Sequence, residues 1–229
     1  MFRVLPKVVG ERTANALERR RMAVLLAALL LLILASPLAD LAGGSRLVIV
    51  GATAAFLLSC LQQADPYSQF RLPARLMVLL WLLLNLPVLR AERAWVTGVA
   101  SLILAALNIG VLWLVAKHMI QAKQIDAELL CSAVGAYLLL GAFWAQTYVL
   151  IDLAAPAAFS QAGTDGTNQG ALFYFSFITL TTTGFGDVTA VSPPVRMWAV
   201  LEAIVGTMYN AIVIARLVSL YGSNLRHKE

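Results

Sequence analysis

TLTTTGFGDV, the stretch from Thr179 to Val188, is the most informative part of this sequence. Two glycines, Gly184 and Gly186, alternate with Phe185 behind a run of threonines. Glycine adopts backbone conformations that side chains normally forbid, so such a stretch can point successive carbonyl groups in one direction. A row of carbonyl oxygens can replace the water around a cation. The stretch therefore predicts a site where the backbone itself coordinates a cation.

The composition of the chain is that of an integral membrane protein. Of the 229 residues, 60% are hydrophobic and 13% are charged, and the mean hydropathy is +0.80. That leaves too little polar surface for a soluble domain, and long apolar runs recur along the chain. The net charge of +5 does not indicate nucleic-acid binding, because no basic patch with interleaved aromatic residues is present. Cys60 and Cys131 lie in different apolar runs and do not indicate a disulfide scaffold.

The apolar runs predict six transmembrane helices. These are expected at residues 22–39, 47–61, 76–89, 94–116, 129–151 and 195–221. Residues 171–181 are aromatic and β-branched but too short to cross a bilayer at 1.5 Å per residue, so they must enter the membrane and return. Re-entrant backbone is tolerated only where protein buries it or water lines it, and a pore provides both.

The distribution of lysine and arginine predicts the orientation of the chain. With the N-terminus inside and six crossings, 13 of the 17 Lys and Arg residues fall on the inner side. The outer side then carries Arg46, Arg90, Arg93 and Arg196. Because positive residues concentrate in cytoplasmic loops, we expect a multi-pass protein of the cell membrane with both termini in the cytoplasm. A signal peptide cleaved near Ala35 is the alternative for the first apolar run, and the five further spans favour an uncleaved helix.

The residues from Thr182 to Asp187 resemble the signature T-V-G-[YF]-G-D of the selectivity filter in tetrameric potassium channels. The likeness extends back to Tyr174 through the family pattern YFSFxTLTTxGYGD, and residues 124–221 look like a complete pore domain. The first four spans resemble bacterial six-span channels of the ion-transport type only in number and hydropathy. The resemblance implies an all-α integral membrane protein with six transmembrane helices, a re-entrant pore helix and a selectivity filter, assembled as a homotetramer.

The resemblance also assigns a role to each filter residue. Stacked potassium sites would be formed by the carbonyl groups of Thr182, Thr183, Gly184 and Phe185, together with the Thr182 hydroxyl group. Gly186 and Asp187 would complete the outer turn. The predicted topology also places Asp152 and Asp165 near this turn, where with Asp187 they would make the outer mouth negative and concentrate cations; for Asp152 and Asp165 a solvated loop is the favoured alternative.

Two filter positions depart from the commonest family pattern. Thr183 stands where the family usually has an aliphatic residue, so its hydroxyl group must find a partner behind the filter. Phe185 replaces the commoner tyrosine, whose hydroxyl group bonds an aromatic residue of the pore helix in relatives. Phe175, at the matching helix position, offers no such partner.

Three residues are expected to support the filter from outside it. Tyr174 stands where relatives often use a tryptophan to hold the filter aspartate, which suggests a hydrogen bond to Asp187; the alternative is a tyrosine at the membrane interface. Glu202 is an acid inside the sixth span, where a structural hydrogen bond to the pore helix is favoured over direct ion contact. Gly206, 19 positions after Asp187, matches the glycine hinge of the family.

The sixth span also predicts the lining of a cavity below the filter. By family resemblance, the residues that face the axis are Thr207, Asn210, Ile214 and Val218. A ring of Asn210 side chains would hold hydrated cations, and the alternative is a bond from Asn210 to a neighbouring helix. Ile214 and Val218 could form an apolar constriction that gates by dewetting.

The predicted domains are a basic cytoplasmic segment (1–21), a four-helix transmembrane domain (22–118), a pore domain (119–221) and a short cytoplasmic tail (222–229). Potassium ions in the filter are the only bound group expected, and the expected partners are three identical subunits and membrane lipid, without nucleic acid. Enzyme activity is not expected, because catalytic residue sets are lacking. The alternatives are a weakly selective cation channel and, in another class, a secondary transporter or potassium-uptake subunit.

We predict that opening is nearly independent of voltage. A sensing helix needs several arginines that move through the membrane field, each worth about 2.3 kcal/mol per 100 mV, and residues 94–116 carry none. Conductance measured against voltage in a planar bilayer should vary only slightly over the physiological range. A steep curve that requires several gating charges per subunit would contradict this prediction.

Overall fold

The computed structural model describes residues 22–35, 46–63, 71–85, 94–122, 124–161 and 169–226. The predicted basic segment 1–21 and Asp165 lie outside these residues. Within the described ranges the helices are α1 (Met22–Ala35), α2 (Arg46–Gln63), α3 (Arg71–Leu84), α4 (Ala94–Gln121), α5 (Ala127–Ala154), α6 (Gln169–Leu180) and α7 (Pro193–Arg226). The strands there are β1 (Phe159–Gln161) and β2 (Val188–Ala190).

Three helices are long and apolar enough to cross a membrane, namely α4, α5 and α7. The apolar parts of α1, α2, α3 and α6 are shorter. A mostly helical chain with three such helices is consistent with the predicted all-α membrane protein. Crossing by each of the first three helices stays a prediction. The segment that we expected to be re-entrant is largely helical and belongs to α6, a helix of 12 residues; its re-entry into the membrane stays a prediction.

The structure corrects three boundaries and adds a sheet. Helix α3 begins at Arg71, so residues 71–75 belong to a helix that we expected to start at 76. Pro73 lies in its first turn, where backbone N–H groups have no partner within the helix, so a proline is tolerated there. Helix α4 continues to Gln121 and α7 to Arg226, beyond the ends that we expected at residues 116 and 221, and the cytoplasmic tail stays a prediction.

The added sheet consists of β1 and β2, which pair antiparallel. Phe159 lies opposite Ala190, and Gln161 lies opposite Val188. A three-residue strand gives too short a pattern to be recognised by its alternation of buried and exposed residues. The sheet joins the residues before α6 to those after the predicted filter.

An aromatic cluster fixes the position of α6 against the rest of the chain. Tyr148 on α5, Phe159 on β1 and Phe175 on α6 pack edge to face, with ring centroids 5.2 to 5.5 Å apart. Aromatic rings prefer this arrangement at this distance. Phe175 is buried in this cluster, and its role in supporting the filter stays a prediction.

The C-terminal half of α7 is anchored to α4 and α5 of the same chain. The Nε atom of Arg216 donates to the carbonyl oxygen of Met119 at 3.0 Å, and its Nη2 atom donates to those of Ile120 at 2.6 Å and Ala122 at 3.1 Å. The last carbonyl groups of a helix lack partners within it, and a cation there is favourable. The Tyr209 hydroxyl group donates to the carbonyl oxygen of Ala133 at 2.6 Å.

Gly206 lies where α7 meets the end of α6. A Cβ atom at this position would overlap the carbonyl oxygen of Leu180 and would lie 2.9 Å from its Cδ1 atom. Helix α7 runs unbroken through Gly206. The glycine is thus required for close approach of the two helices, and the predicted hinge motion stays a prediction.

We predict that Gly206→Ala destabilises the protein by about 1–3 kcal/mol, because the added methyl group must displace backbone. Thermal unfolding of the detergent-solubilised protein measures the effect as a lower melting temperature. The matched control is Gly110→Ala in α4, where an added Cβ meets nothing within 4 Å. That variant should be neutral or slightly more stable, since alanine favours helix. Equal melting temperatures for both variants would contradict the close-approach role.

Candidate ion coordination site

The C-terminal end of α6 is capped largely by the predicted filter, Thr182–Asp187, and by the residue before it. The backbone N–H of Thr181 donates to the carbonyl oxygen of Phe177 at 3.0 Å, and the backbone N–H of Thr182 donates to the carbonyl oxygen of Thr179 at 2.9 Å. The carbonyl oxygen of Leu180 accepts from the Tyr137 hydroxyl group at 3.1 Å. These bonds satisfy carbonyl groups that the end of a helix otherwise leaves free.

Ile178 sets the direction of the first two carbonyl groups of the predicted filter. Its carbonyl oxygen accepts both the N–H of Thr183 at 2.8 Å and the N–H of Gly184 at 3.1 Å. In a trans peptide unit the C=O points opposite to the N–H, and the described chain has no cis peptide bond. The carbonyl groups of Thr182 and Thr183 therefore both point away from α6, toward the side of the segment that the chain leaves exposed. We call this the open side.

The backbone of the predicted filter alternates in handedness. Thr182, Gly184 and Gly186 have positive φ angles of 57°, 54° and 82°, whereas Thr183 and Phe185 between them do not. Alternation of left- and right-handed conformations turns successive peptide groups toward one side, which makes a concave row of like dipoles. The glycines adopt such φ angles without penalty. This alternation is the arrangement that the sequence predicted from the two glycines.

Thr182 is strained, and its strain points to function. A positive φ is rare for a β-branched residue and costs of the order of 1–3 kcal/mol. Such a conformation persists only where surrounding bonds impose it, and it concentrates at binding and switch sites. The two hydrogen bonds to Ile178 lie directly after Thr182 and impose it here.

The Thr183 hydroxyl group has the partner that the sequence required. Its Oγ1 atom lies 2.9 Å from the Oγ1 atom of Thr181. The Thr181 hydroxyl group in turn donates to the carbonyl oxygen of Phe177 at 2.7 Å. Residues 181–187 are exposed in the single chain, and the Phe185 side chain is 72% exposed. The open side of the predicted filter is thus free to meet other chains.

The outer end of the predicted filter is tied to α6 by the bond that we expected. The Tyr174 hydroxyl group donates to the Oδ1 atom of Asp187 at 3.2 Å. The segment is thereby held at both ends by the same helix, through Ile178 at its base and Tyr174 at its outer end.

Glu202 joins three helices in a fully buried network. Its Oε2 atom accepts from the Tyr148 hydroxyl group of α5 at 2.5 Å, and its Oε1 atom accepts from the Ser176 hydroxyl group of α6 at 2.6 Å. Ser176 also lies 2.8 Å from the carbonyl oxygen of Gly141 on α5. Glu202 thus makes the hydrogen bond to α6 that was favoured over ion contact, and both of its oxygens have donors.

The residues predicted to line a cavity share the face of α7 that its own chain leaves uncovered. These residues are Thr207, Asn210, Ile214 and Val218, and all four are exposed. The opposite face carries Gly206, Tyr209 and Arg216, which contact the same chain. The Thr207 hydroxyl group donates to the carbonyl oxygen of Ala203 within the helix at 2.9 Å.

Several supporting residues were missed by sequence reasoning. Tyr148 and Ser176 could have been suspected, because a buried carboxylate needs donors and hydroxyl groups on adjacent helices supply them. Tyr137 and Arg216 carried no comparable signal, since a polar residue near the end of an apolar run is equally typical of the membrane interface.

Residues 133–222 match the model of a protein family described as ion channel. The match includes most of α5, all of α6, the predicted filter and most of α7. It supports passive ion conduction by this part of the chain, and with the apolar helices it supports a place in a membrane. Neither a curated protein nor a solved structure matches the chain.

We predict that Tyr148→Phe and Ser176→Ala each lower the free energy of unfolding by about 1–3 kcal/mol, because each leaves one oxygen of the buried carboxylate without its donor. Their effects should not add, since both residues bond Glu202. Thermal or denaturant unfolding in detergent measures them. Tyr221→Phe is the matched control, because that side chain is 62% exposed. Wild-type stability in both variants would show that Glu202 holds nothing together.

Proposed function

We propose that the chain is the subunit of a homotetrameric channel that conducts potassium passively and selectively across the cell membrane. Residues 182–187 would form the selectivity filter around the common axis, with potassium ions bound to its carbonyl oxygens. The family match supports an ion channel in a membrane. Selectivity for potassium, assembly of four subunits and a place in the cell membrane are additional parts of this proposal.

The observation that carries the proposal is the direction of the Thr182 and Thr183 carbonyl groups. Two consecutive N–H groups bond Ile178, so the two carbonyl oxygens point away from α6 together. The alternation of φ continues this arrangement through Gly184 and Gly186. Stacked carbonyl rings of this kind replace the hydration shell of potassium. The C-terminal end of α6, which carries partial negative charge, lies at the base of the row and favours a cation below it.

Assembly into a ring is favoured by how little of α7 its own chain covers. Only 6% of the apolar stretch of α7 is buried, whereas 44% of the corresponding stretch of α4 and 50% of that of α5 are buried. Each chain contributes a single copy of the filter sequence, and coordination on all sides of an ion requires several copies. In a tetramer the exposed face of Thr207, Asn210, Ile214 and Val218 would line the path below the filter.

A weakly selective cation channel is the second candidate, and Thr183 favours it. The hydroxyl group of Thr183 replaces an aliphatic group, and selective channels depend on the stiffness and field strength of the filter. However, the Thr183 hydroxyl group is already hydrogen-bonded to that of Thr181. We therefore favour potassium selectivity over this candidate. A potassium-uptake subunit is less favoured, because neither repeated filter copies nor inverted repeats are visible in the sequence.

We predict that liposomes holding the purified full chain take up rubidium and largely exclude sodium, and that barium blocks the uptake. Rubidium resembles potassium in size, and barium has the size of potassium with twice the charge, so it should bind the same oxygens more tightly. Gly184→Ala should abolish selective uptake, because the positive φ of 54° penalises a side chain.

Two further variants serve as controls for the uptake measurement. Gly51→Ala in α2 should leave uptake unchanged, because an added Cβ there meets nothing within 4 Å. Thr183→Val should keep selectivity equal or better, since valine has nearly the shape of threonine. Barium-insensitive uptake with equal passage of sodium and potassium would refute potassium selectivity and leave the weakly selective channel.

A further inference from the structure

A cavity of about 930 Å³ lies between the first four helices and the ion channel domain. Its lining comes from α1, α2, α3 and α4 on one side, and from α5 and the first turns of α6 on the other. The lining residues of α1 and α3 lie at the C-terminal ends of these helices, those of α4 lie in its first half, and those of α5 lie in its last half. They meet at the level where α6 begins, which the predicted topology places in the outer half of the membrane.

The described residues that line this cavity carry no charge. Asp, Glu, Lys, Arg and His are all missing among them. Transfer of an ion into such a place is costly because nothing there compensates its lost hydration. Apolar side chains such as Ile49, Phe56 and Phe173 alternate around the wall with polar ones such as Thr97 and Ser101. The wall therefore suits a neutral molecule with both an apolar and a polar part.

Two residues that line the cavity each carry a buried polar atom without a partner in the described part of the chain. These atoms are Nε1 of Trp81, a donor, and Oδ1 of Asn108, an acceptor. Trp81 is 4% exposed and Asn108 is 2% exposed. The Nδ2 atom of Asn108 already donates to the carbonyl oxygen of Leu104 at 3.0 Å, which fixes the amide and leaves Oδ1 unused. An unsatisfied buried polar group costs about 1–3 kcal/mol, so both atoms favour a bound partner.

We propose that this cavity binds a neutral lipid with a free hydroxyl group, of the chemical class of diacylglycerol. A hydroxyl group both donates and accepts, so it can serve either Asn108 or Trp81, and the ester carbonyl groups supply further acceptors for the Trp81 N–H. The volume falls in the range typical of small-molecule sites, roughly 300–1,000 Å³, so the headgroup and the upper part of the acyl chains fit inside.

The site would place the lipid in contact with α6. Gln169, Gly170 and Phe173 belong to the first two turns of that helix and line the cavity. The other end of α6 holds the Thr182–Asp187 segment through Ile178. The assignment itself does not depend on which ion passes, because binding is measured without ion flux.

The test uses a photoactivatable diacylglycerol with a diazirine in one acyl chain. It is mixed into phosphatidylcholine liposomes that hold the full chain, irradiated, and its adducts are mapped by peptide mass spectrometry. We expect adducts on cavity residues of α4 and α5 that unlabelled diacylglycerol competes away. Thr97→Phe, which fills the cavity, should reduce them roughly tenfold, and Asn108→Leu should reduce them a few-fold.

Leu102→Phe is the matched control, because Leu102 lies on the same helix outside the cavity and is 56% exposed. It should leave the adducts unchanged. Each variant is first compared with wild type for elution as an assembled protein, and Asn108→Leu serves as the test if Thr97→Phe does not assemble. Cavity adducts that are missing, that unlabelled lipid does not compete away, or that neither variant reduces would overturn the proposal. Equal labelling by an anionic phosphatidylglycerol probe would overturn the neutral class.

Discussion

The carbonyl oxygen of Ile178 accepts two backbone N–H groups, and the conformation of the Thr182–Asp187 segment depends on this constraint. It uses a bond acceptor that the helix end leaves free, and it turns the next two carbonyl groups outward. It also holds Thr182 in a backbone conformation that a β-branched residue avoids. A single acceptor thus caps the helix, directs the carbonyl oxygens of Thr182 and Thr183, and retains the local strain.

The remainder of the chain keeps α6 where this constraint can act. Glu202 bonds Tyr148 and Ser176 from within the apolar helix α7, where an unpaired acid would be costly. Gly206 allows α7 to approach the end of α6 closely. On the other side, Phe175 packs against Tyr148 and Phe159. Buried polar bonds set the orientation of α6, and aromatic packing sets its distance from α5.

The membrane class and the backbone conformation around Gly184 and Gly186 could be predicted from sequence because their signals are local. Apolar length indicates a membrane helix, and glycine at alternate positions indicates the alternation of φ observed at Gly184 and Gly186. Hydroxyl donors for Glu202 could be suspected on adjacent helices, but the pairing itself could not be assigned, since Tyr148 lies 54 positions away and nothing local records the contact. The start of α3 was missed because Pro73 and two arginines suggested a loop, whereas the first turn of a helix tolerates proline.

The anchoring of α7 by Arg216 has a mechanical consequence for the inner end of the molecule. Three hydrogen bonds join this one side chain to the end of α4 and the residues that follow it. Ile214 and Val218 lie within a turn of Arg216 on the same rigid helix, so their displacement must either carry the end of α4 along or break all three bonds. Lateral tension or a change of membrane thickness felt by α4 would therefore be transmitted to Ile214 and Val218 without any charge having to cross the membrane field.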